Sequence, residues 1–178
     1  MDLDHLLLRG GKHLFLDLED TVITPNIQGW RAVDFINNNI DLVKNIITEF
    51  APDTVNVFSF AIDHDEDQVA FMKDCGVFLE NNIGCKFTIV PHMEHIRKVL
   101  CDINGLTVGA VPREEICTFW SKQRAMRDWL VWNQKQHKKL GTPLEEIEVF
   151  FLDDTVETEL IELPDLKIEL MMENPQTM

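Results

Sequence analysis

Two short apolar runs, far apart in the chain, stop abruptly at acidic side chains, and this feature constrains the fold more than any other. The first run, HLFL, stops at Asp17, with Glu19 two residues further on. The second run, VFFL, stops at the pair Asp153 and Asp154. Short apolar runs that are rich in aromatic and branched side chains indicate buried strands. The two stretches therefore predict two buried strands, each with carboxylates at its end.

The acidic side chains at these two strand ends are candidates for a single site. Ligands in open α/β sheets lie beyond the carboxyl ends of the strands. Parallel neighbouring strands would therefore bring the four carboxylates into one crevice, where they repel one another unless a cation neutralises them. Because Mg²⁺ binds through a few carboxylates together with waters and phosphate oxygens, the pattern predicts a magnesium site.

Several stretches resemble the sequence motifs of the haloacid dehalogenase (HAD) phosphohydrolase superfamily. The segment that begins at Asp17 resembles the first motif, Asp-x-Asp-x-Thr/Val after a hydrophobic strand, and Asp153 with Asp154 resembles the fourth. An apolar stretch ending at Ser59 resembles the second motif, and Lys122 is similar to the lysine of the third. The four motifs occur in the family's order and cover nearly the whole chain.

The resemblance implies a Mg²⁺-dependent phosphatase that hydrolyses phosphomonoesters. Asp17 would be the nucleophile and form an aspartyl-phosphate, while Ser59 and Lys122 would bind the phosphate. Glu19 would act as general acid and base. The metal ligands would be the four strand-end acids, Asp17, Glu19, Asp153 and Asp154.

One position departs from the family pattern. The residue two places after the nucleophile is normally Asp, and here it is Glu19, which moves the carboxyl group by one methylene. A displacement of about 1 Å can cost on the order of 100-fold in rate. Two interpretations therefore remain: an active phosphatase, or a catalytically weak or inactive HAD-like protein that acts by binding a protein partner. Asp20 and Thr21 are expected to shape the turn.

Strands and helices alternate along the chain, which predicts an α/β fold with a mostly parallel sheet covered on both faces. With the resemblance, we expect one HAD-like domain over residues 1–178, a Rossmann-like three-layer sandwich. The acidic run 63–67 should charge the start of a helix. Residues 106–117 have no clear assignment. The remaining predicted elements are helices at 30–50, 66–81, 92–103 and 121–140, strands at 54–60, 86–90 and 166–172, and a short helix or turn at 155–163.

Two spans in which HAD relatives insert a cap domain are short in this chain. Too few residues separate Thr21 from the next predicted helix for a helical cap, and the span 91–122 is too short for a full α/β cap. The resemblance thus implies a minimal or absent cap. An open crevice would admit a phosphate on a bulky or polymeric carrier, such as a protein or a polynucleotide end.

The net charge of −15 opposes general affinity for nucleic acid, because binding the phosphate backbone needs Lys and Arg. It would suit a protein that binds a basic partner surface. The segment 122–139 is an exception, with six basic residues and the nearby Trp120, Trp129 and Trp132. Such a helix can bind single-stranded nucleic acid by charge and stacking. Alternatively, Met126, Trp129 and Leu130, with or without Trp132, belong to the core and the basic residues form a solvated face.

The four cysteines are widely spaced, and we expect them to be small buried hydrophobic residues. No apolar run approaches the ~20 residues that cross a bilayer. Acidic residues lie near the start, where a signal peptide would be positive. The expected location is the cytoplasm, with no membrane partner.

Overall fold

The computed structural model describes residues 3–23, 30, 39–143, 145–163 and 167–178. At its centre lies a five-stranded sheet with the order β2-β1-β3-β5-β4. All neighbouring strands are parallel except β4, which is antiparallel to β5. The predicted α/β fold with a mostly parallel sheet is thus confirmed. The strands are β1 (Gly11–Leu16), β2 (Thr54–Val57), β3 (Ile147–Leu152), β4 (Glu159–Leu163) and β5 (Ile168–Glu173).

Helices cover both faces of this sheet. Short 3-10 turns lie at Asp4–Leu6, Val108–Ala110 and Arg113–Glu115. Among the described helices, none is both long and apolar enough to cross a bilayer. The helices are α1 (Ile40–Phe50), α2 (Asp65–Lys73), α3 (Cys75–Ile83), α4 (Met93–Ile103), α5 (Ile116–Phe119) and α6 (Lys122–Leu140).

Successive side chains of a strand point to opposite sides, and in strand β1 both sides are buried. Leu14 and Leu16 pack into one hydrophobic core together with residues of α1 and α3. Phe15 packs into a second core on the other face, formed with residues of α4 and α6. The sheet therefore separates two cores and is the middle layer of a three-layer, Rossmann-like sandwich.

The strand register brings the acidic ends of β1 and β3 to the same edge of the sheet. Leu16 pairs with Leu152, so that Asp17 and Asp153 follow at equivalent positions. The backbone N–H of Asp17 donates to the carbonyl of Leu152 at 3.0 Å. The prediction that these two strands are parallel neighbours is confirmed.

Three predicted elements differ from the structure. The helix expected at 66–81 is two helices, because the backbone at Asp74 leaves the helical region between α2 and α3. The segment 86–90 forms a single bridge between Phe87 and Val55 and no regular strand. Beside this bridge, the Asn56 side chain accepts the N–H of Ile89 at 3.0 Å.

The third difference lies at 155–163, where a helix or turn was expected. A turn is followed by β4, whose central residue Ile161 is buried while its neighbours Leu160 and Glu162 are exposed. This antiparallel edge strand is stabilised by pairing with β5, which a local pattern does not reveal.

Several other predictions agree within the described residues. α4 and α6 lie where they were expected, and Asp65, Glu66 and Asp67 form the acidic first turn of α2. Of the predicted helix 30–50, the structure shows α1 from Ile40 onward and a bend at Trp30, and residues 31–38 lie outside the described residues. The unassigned segment 106–117 consists of the two later 3-10 turns and the start of α5.

Candidate active site

Asp17 lies directly after β1, and two side chains bind its carboxylate. The Asp17 side chain is 9% exposed. Its Oδ1 accepts a hydrogen bond from Lys122 Nζ at 2.8 Å. Its Oδ2 lies 3.1 Å from Thr21 Oγ1, which donates to it. Both oxygens are therefore held in place at the edge of the sheet.

Asp153 and Asp154 occupy the corresponding edge after β3. Asp153 is fully buried, and its Oδ1 accepts from the N–H and the hydroxyl of Thr155, at 2.7 and 2.6 Å. Asp154 donates its backbone N–H to Thr21 Oγ1 at 3.0 Å, and its Oδ1 lies 3.3 Å from that hydroxyl. Thr21 thus joins the two strand ends through one hydroxyl group.

Asp17, Asp153 and Asp154 form a group suited to a divalent cation. Each offers one carboxylate oxygen, and these oxygens lie within 4.8 Å of one another. Lys122 contributes one positive charge to this group, so that three ionised carboxylates would leave two negative charges, as many as one Mg²⁺ balances. Hard oxygen donors of this kind fit Mg²⁺. Glu19, the fourth predicted ligand, lies on the cleft wall outside this group of three.

Lys122 is the first residue of α6, and this position brings its ammonium next to the carboxylate group. Ser121 caps α6, because its Oγ accepts the N–H of Arg124 at 3.1 Å. The Lys122 ammonium donates to Asp17 and, at 3.2 Å, to Asp153. It also lies 4.7 Å from the centre of the Phe60 ring. The lysine that the motif order predicted therefore does contact the strand-end acids.

Burial and charge act in opposite directions on these groups. Burial raises the pKa of Asp17; Lys122 opposes this increase and Asp153 adds to it, so that the pKa reaches about 7. Burial lowers the pKa of Lys122, but the charges of Asp17 and Asp153 outweigh this effect and raise it. Asp17 consequently exchanges its proton near neutral pH, while Lys122 stays charged.

The three-carboxylate group opens into a cleft of about 440 Å³. Ser59 lies there, buried, and its Oγ accepts the N–H of Ala61 at 3.1 Å, which leaves the hydroxyl proton for another acceptor. The cleft also contains Glu19, which is half-buried. All six predicted site residues are therefore at the cleft or, for Asp153, bonded to a cleft residue. The lining includes Asp17, Glu19, Asp20, Ser59, Phe60, Cys117, Trp120, Lys122 and Asp154.

The cleft residues that the sequence analysis missed include Phe60, Trp120 and Cys117. Phe60 and Trp120 form part of the wall, and no sequence signal distinguished them from core aromatics. Cys117 was expected to be buried, and this prediction is wrong: its side chain is exposed at the cleft. Its position depends on the 3-10 turns before α5, whose geometry the local sequence did not predict. Thr21 was identified as a turn residue, but its bonds to both strand ends were not.

The tryptophans of the basic segment belong to the core. Trp120, Trp129 and Trp132 are each at most 3% exposed, whereas the basic residues Lys135 and Lys139 are exposed. This confirms the interpretation in which the helix buries its aromatic face and solvates its basic one, except at Lys122, whose side chain is buried against Asp17. The indoles of Trp129 and Trp132 are therefore not available for stacking on a nucleic-acid base.

The cleft holds groups of the kinds that phosphoryl transfer needs: a carboxylate that could act as a nucleophile, a cation beside it, and carboxylates that could hold a divalent metal. No protein-family model, curated protein or solved structure matches this chain. The assignment of a function therefore depends on the residues of the cleft.

Proposed function

We propose that the protein is a minimally capped, HAD-like phosphatase that hydrolyses phosphomonoesters with Mg²⁺. One observation carries the proposal: the Asp17 carboxylate is held at an open cleft between the Lys122 ammonium, at 2.8 Å, and the carboxylates of Asp153 and Asp154. A structural role alone does not require a buried carboxylate with a raised pKa at a cleft, and such groups occur preferentially at active sites.

Asp17 is the nucleophile of the proposed reaction. One carboxylate oxygen attacks the phosphorus atom, the bond to the leaving oxygen breaks, and an aspartyl-phosphate forms. Water then attacks this intermediate and releases phosphate, so that one difficult step becomes two easier ones. Lys122, already bonded to Asp17, neutralises charge on the phosphoryl oxygens. The Ser59 hydroxyl donates a hydrogen bond to one of these phosphoryl oxygens.

Asp17, Asp153 and Asp154 would hold the metal. When bound, Mg²⁺ would neutralise charge that develops on the phosphoryl oxygens. Thr155 fixes Asp153 through two hydrogen bonds, and Thr21 bridges Asp17 to Asp154. These threonines keep the ligand oxygens close together although the carboxylates repel one another.

Glu19 would supply the proton for the leaving oxygen and then activate the water. General acid–base catalysis of this kind contributes roughly 10²–10⁴ in rate. Glu19 lies on the wall of the same cleft and is partly exposed, next to the space that a bound ester would occupy. The openness of this cleft favours a phosphate on a bulky carrier.

The proposal is tested with p-nitrophenyl phosphate and a phosphopeptide, each with Mg²⁺ or with EDTA. We expect Mg²⁺-dependent hydrolysis that Asp17→Asn abolishes. Asp20→Asn is the matched control: Asp20 is exposed at the cleft with φ 63°, a conformation that Asn tolerates. Hydrolysis that persists in Asp17→Asn, or whose rate EDTA does not change, would refute the mechanism.

A second candidate function is partner binding by a catalytically weak relative. Glu19 favours it, because its longer side chain lies outside the group formed by Asp17, Asp153 and Asp154. The excess of 31 acidic over 16 basic residues would suit a basic partner. Wild-type protein that binds Mg²⁺ in calorimetry but hydrolyses neither substrate would favour this function over the enzyme.

A further inference from the structure

The sheet face that carries the core of Leu14 and Leu16 is covered over β1 and β2 by α1 and α3. On the same face, the middle residues of β3, β5 and β4 are less covered: Phe150 and Met171 are half-buried, and Leu160 is 53% exposed. Of these three, Phe150 alone packs against that core. An apolar strip of the sheet therefore remains open beside α1 in the part of the chain that the structure describes.

The strand register places the three apolar side chains of this strip in one row. Met171 is paired with Phe150 on one side and with Leu160 on the other. The Phe50 ring at the end of α1 lies 5.7 Å from the Phe150 ring and borders the row. Neighbouring strands are about 4.8 Å apart, so the row crosses about 10 Å of sheet. Because an α-helix is about 10–12 Å in diameter, the strip has room for one further helix beside α1.

A second row, of three glutamates, runs beside the apolar one on the same strands. Glu169 is paired with Glu148 and with Glu162, and all three side chains are exposed. Like charges directly opposite one another destabilise a sheet. Lys12 approaches Glu148 at 4.0 Å, whereas Lys167, which borders the same row, forms no ion pair with the described residues. The carboxylates of Glu162 and Glu169 are thus left without a cation in the described part of the chain.

We propose that this open strip is the docking site for one amphipathic helix of a partner protein, and that this helix has a basic flank. Its apolar side chains would cover Phe150, Met171 and Leu160, in the manner of a helix laid in a groove. Its Lys or Arg side chains would neutralise the glutamate row.

Charge decides between this partner and other occupants of the strip. A nucleic acid or an anionic membrane surface would be repelled by the glutamates. A second copy of this chain, with its net charge of −15, would bring a further acidic row. The contact of a single helix is smaller than the ~1,200–2,000 Å² of a stable interface, so the complex should be weak and transient.

This surface is separate from the cleft of the proposed phosphatase. Glu148 lies five residues before Asp153, and at about 3.3 Å per residue the two are about 16 Å apart along the chain. The strip gives the partner-binding alternative a defined surface, but its occupation does not depend on whether the cleft hydrolyses phosphomonoesters.

The probe is a synthetic peptide with leucines at every third or fourth position and lysines on both flanks of that stripe. One control peptide has the same composition in scrambled order, and a second has glutamate in place of lysine. Titrations of the full ¹⁵N-labelled chain follow the backbone amides of β4, β5 and the cleft. We expect the probe to shift the amides of Leu160 and Met171 saturably, to leave that of Asp17 unchanged, and to bind about tenfold more tightly than either control.

The double variant Glu162→Gln/Glu169→Gln tests the charged row, and Leu160→Thr tests the apolar one. Each should weaken binding of the probe by about three- to tenfold. Glu114→Gln/Glu115→Gln is the matched control, since it removes the same charge from an exposed turn outside the strip and should bind like the wild type. Because the first variant relieves repulsion between neighbouring strands, it should unfold at the same temperature as the wild type or higher.

Three results would overturn the proposal. The first is a probe that gives no saturable shifts at β4 and β5, or that binds no better than its scrambled control. The second is a strip variant that binds the probe as tightly as Glu114→Gln/Glu115→Gln does. The third is a wild-type dimer in sedimentation that Leu160→Thr dissociates, because a second copy of the chain would then occupy the strip. Should the double variant be less stable than the wild type, the comparison of probe and scrambled peptide on the wild type still decides.

Discussion

Replacing Lys122 by methionine removes the only positive charge that contacts the carboxylate group among the described residues. The ammonium lies 2.8 Å from Asp17 Oδ1 and 3.2 Å from Asp153 Oδ2. At an effective dielectric constant of ~20, these distances correspond to attractions of about 6 and about 5 kcal/mol. Desolvation of the buried ammonium, which costs several kcal/mol, offsets part of this attraction.

The net loss is estimated from buried pairs that lose one partner. Such changes typically cost 3–5 kcal/mol, because the remaining charge stays buried without compensation. We therefore expect Lys122→Met to lower the free energy of unfolding by about 3–5 kcal/mol in metal-free buffer. Lys135→Met is the matched control, since Lys135 is exposed on the same helix, and it should change stability by no more than about 0.5 kcal/mol.

Magnesium should compensate for the lost charge. Mg²⁺ at 100 times its dissociation constant stabilises a protein by about 2.7 kcal/mol. Because Lys122 no longer competes for Asp17 and Asp153, the metal should bind the variant more tightly and recover more of its stability than it adds to the wild type. Urea unfolding with EDTA and with Mg²⁺ measures both effects. A variant as stable as Lys135→Met, or an equal Mg²⁺ effect on all three proteins, would refute this reasoning.

Four further outcomes are expected. The pKa of Asp17 is about 7, so below this pH its carboxyl group holds a proton that Mg²⁺ must displace. The affinity for Mg²⁺ should therefore rise with pH, at most about tenfold per pH unit, and level off above pH 7. Calorimetry at pH 6, 7 and 8 measures this affinity, and a flat profile contradicts the expectation. Thr21→Val should cost about 1–3 kcal/mol in urea unfolding, because the bridge between the strand ends is lost. Glu19→Asp should change the initial rate of phosphomonoester hydrolysis, by on the order of 100-fold upward if side-chain length limits it; an unchanged rate would exclude that cause. Phe151→Ala should cost about 3–5 kcal/mol in the same unfolding assay, since Phe151 is fully buried.

Much of the site could be predicted because its ligands follow strands whose apolar runs are evident locally. Asp17 and Asp153 follow β1 and β3, and these strands were identified from four-residue runs alone. Helix α6 was recognisable from its length and its glycine end at Gly141. Strand β4 was not, because its stability comes from pairing with β5.

The sequence by itself determined where carboxylates follow buried strands and where α6 begins, since short periodic patterns and capping residues act within a few positions of the chain. Only the tertiary structure decided that Lys122, which is 105 positions from Asp17, lies 2.8 Å from it. It also decided that Cys117 and Trp120 line the cleft. The reason is that distances between elements depend on how whole faces pack, and the residues that set this packing are scattered along the chain.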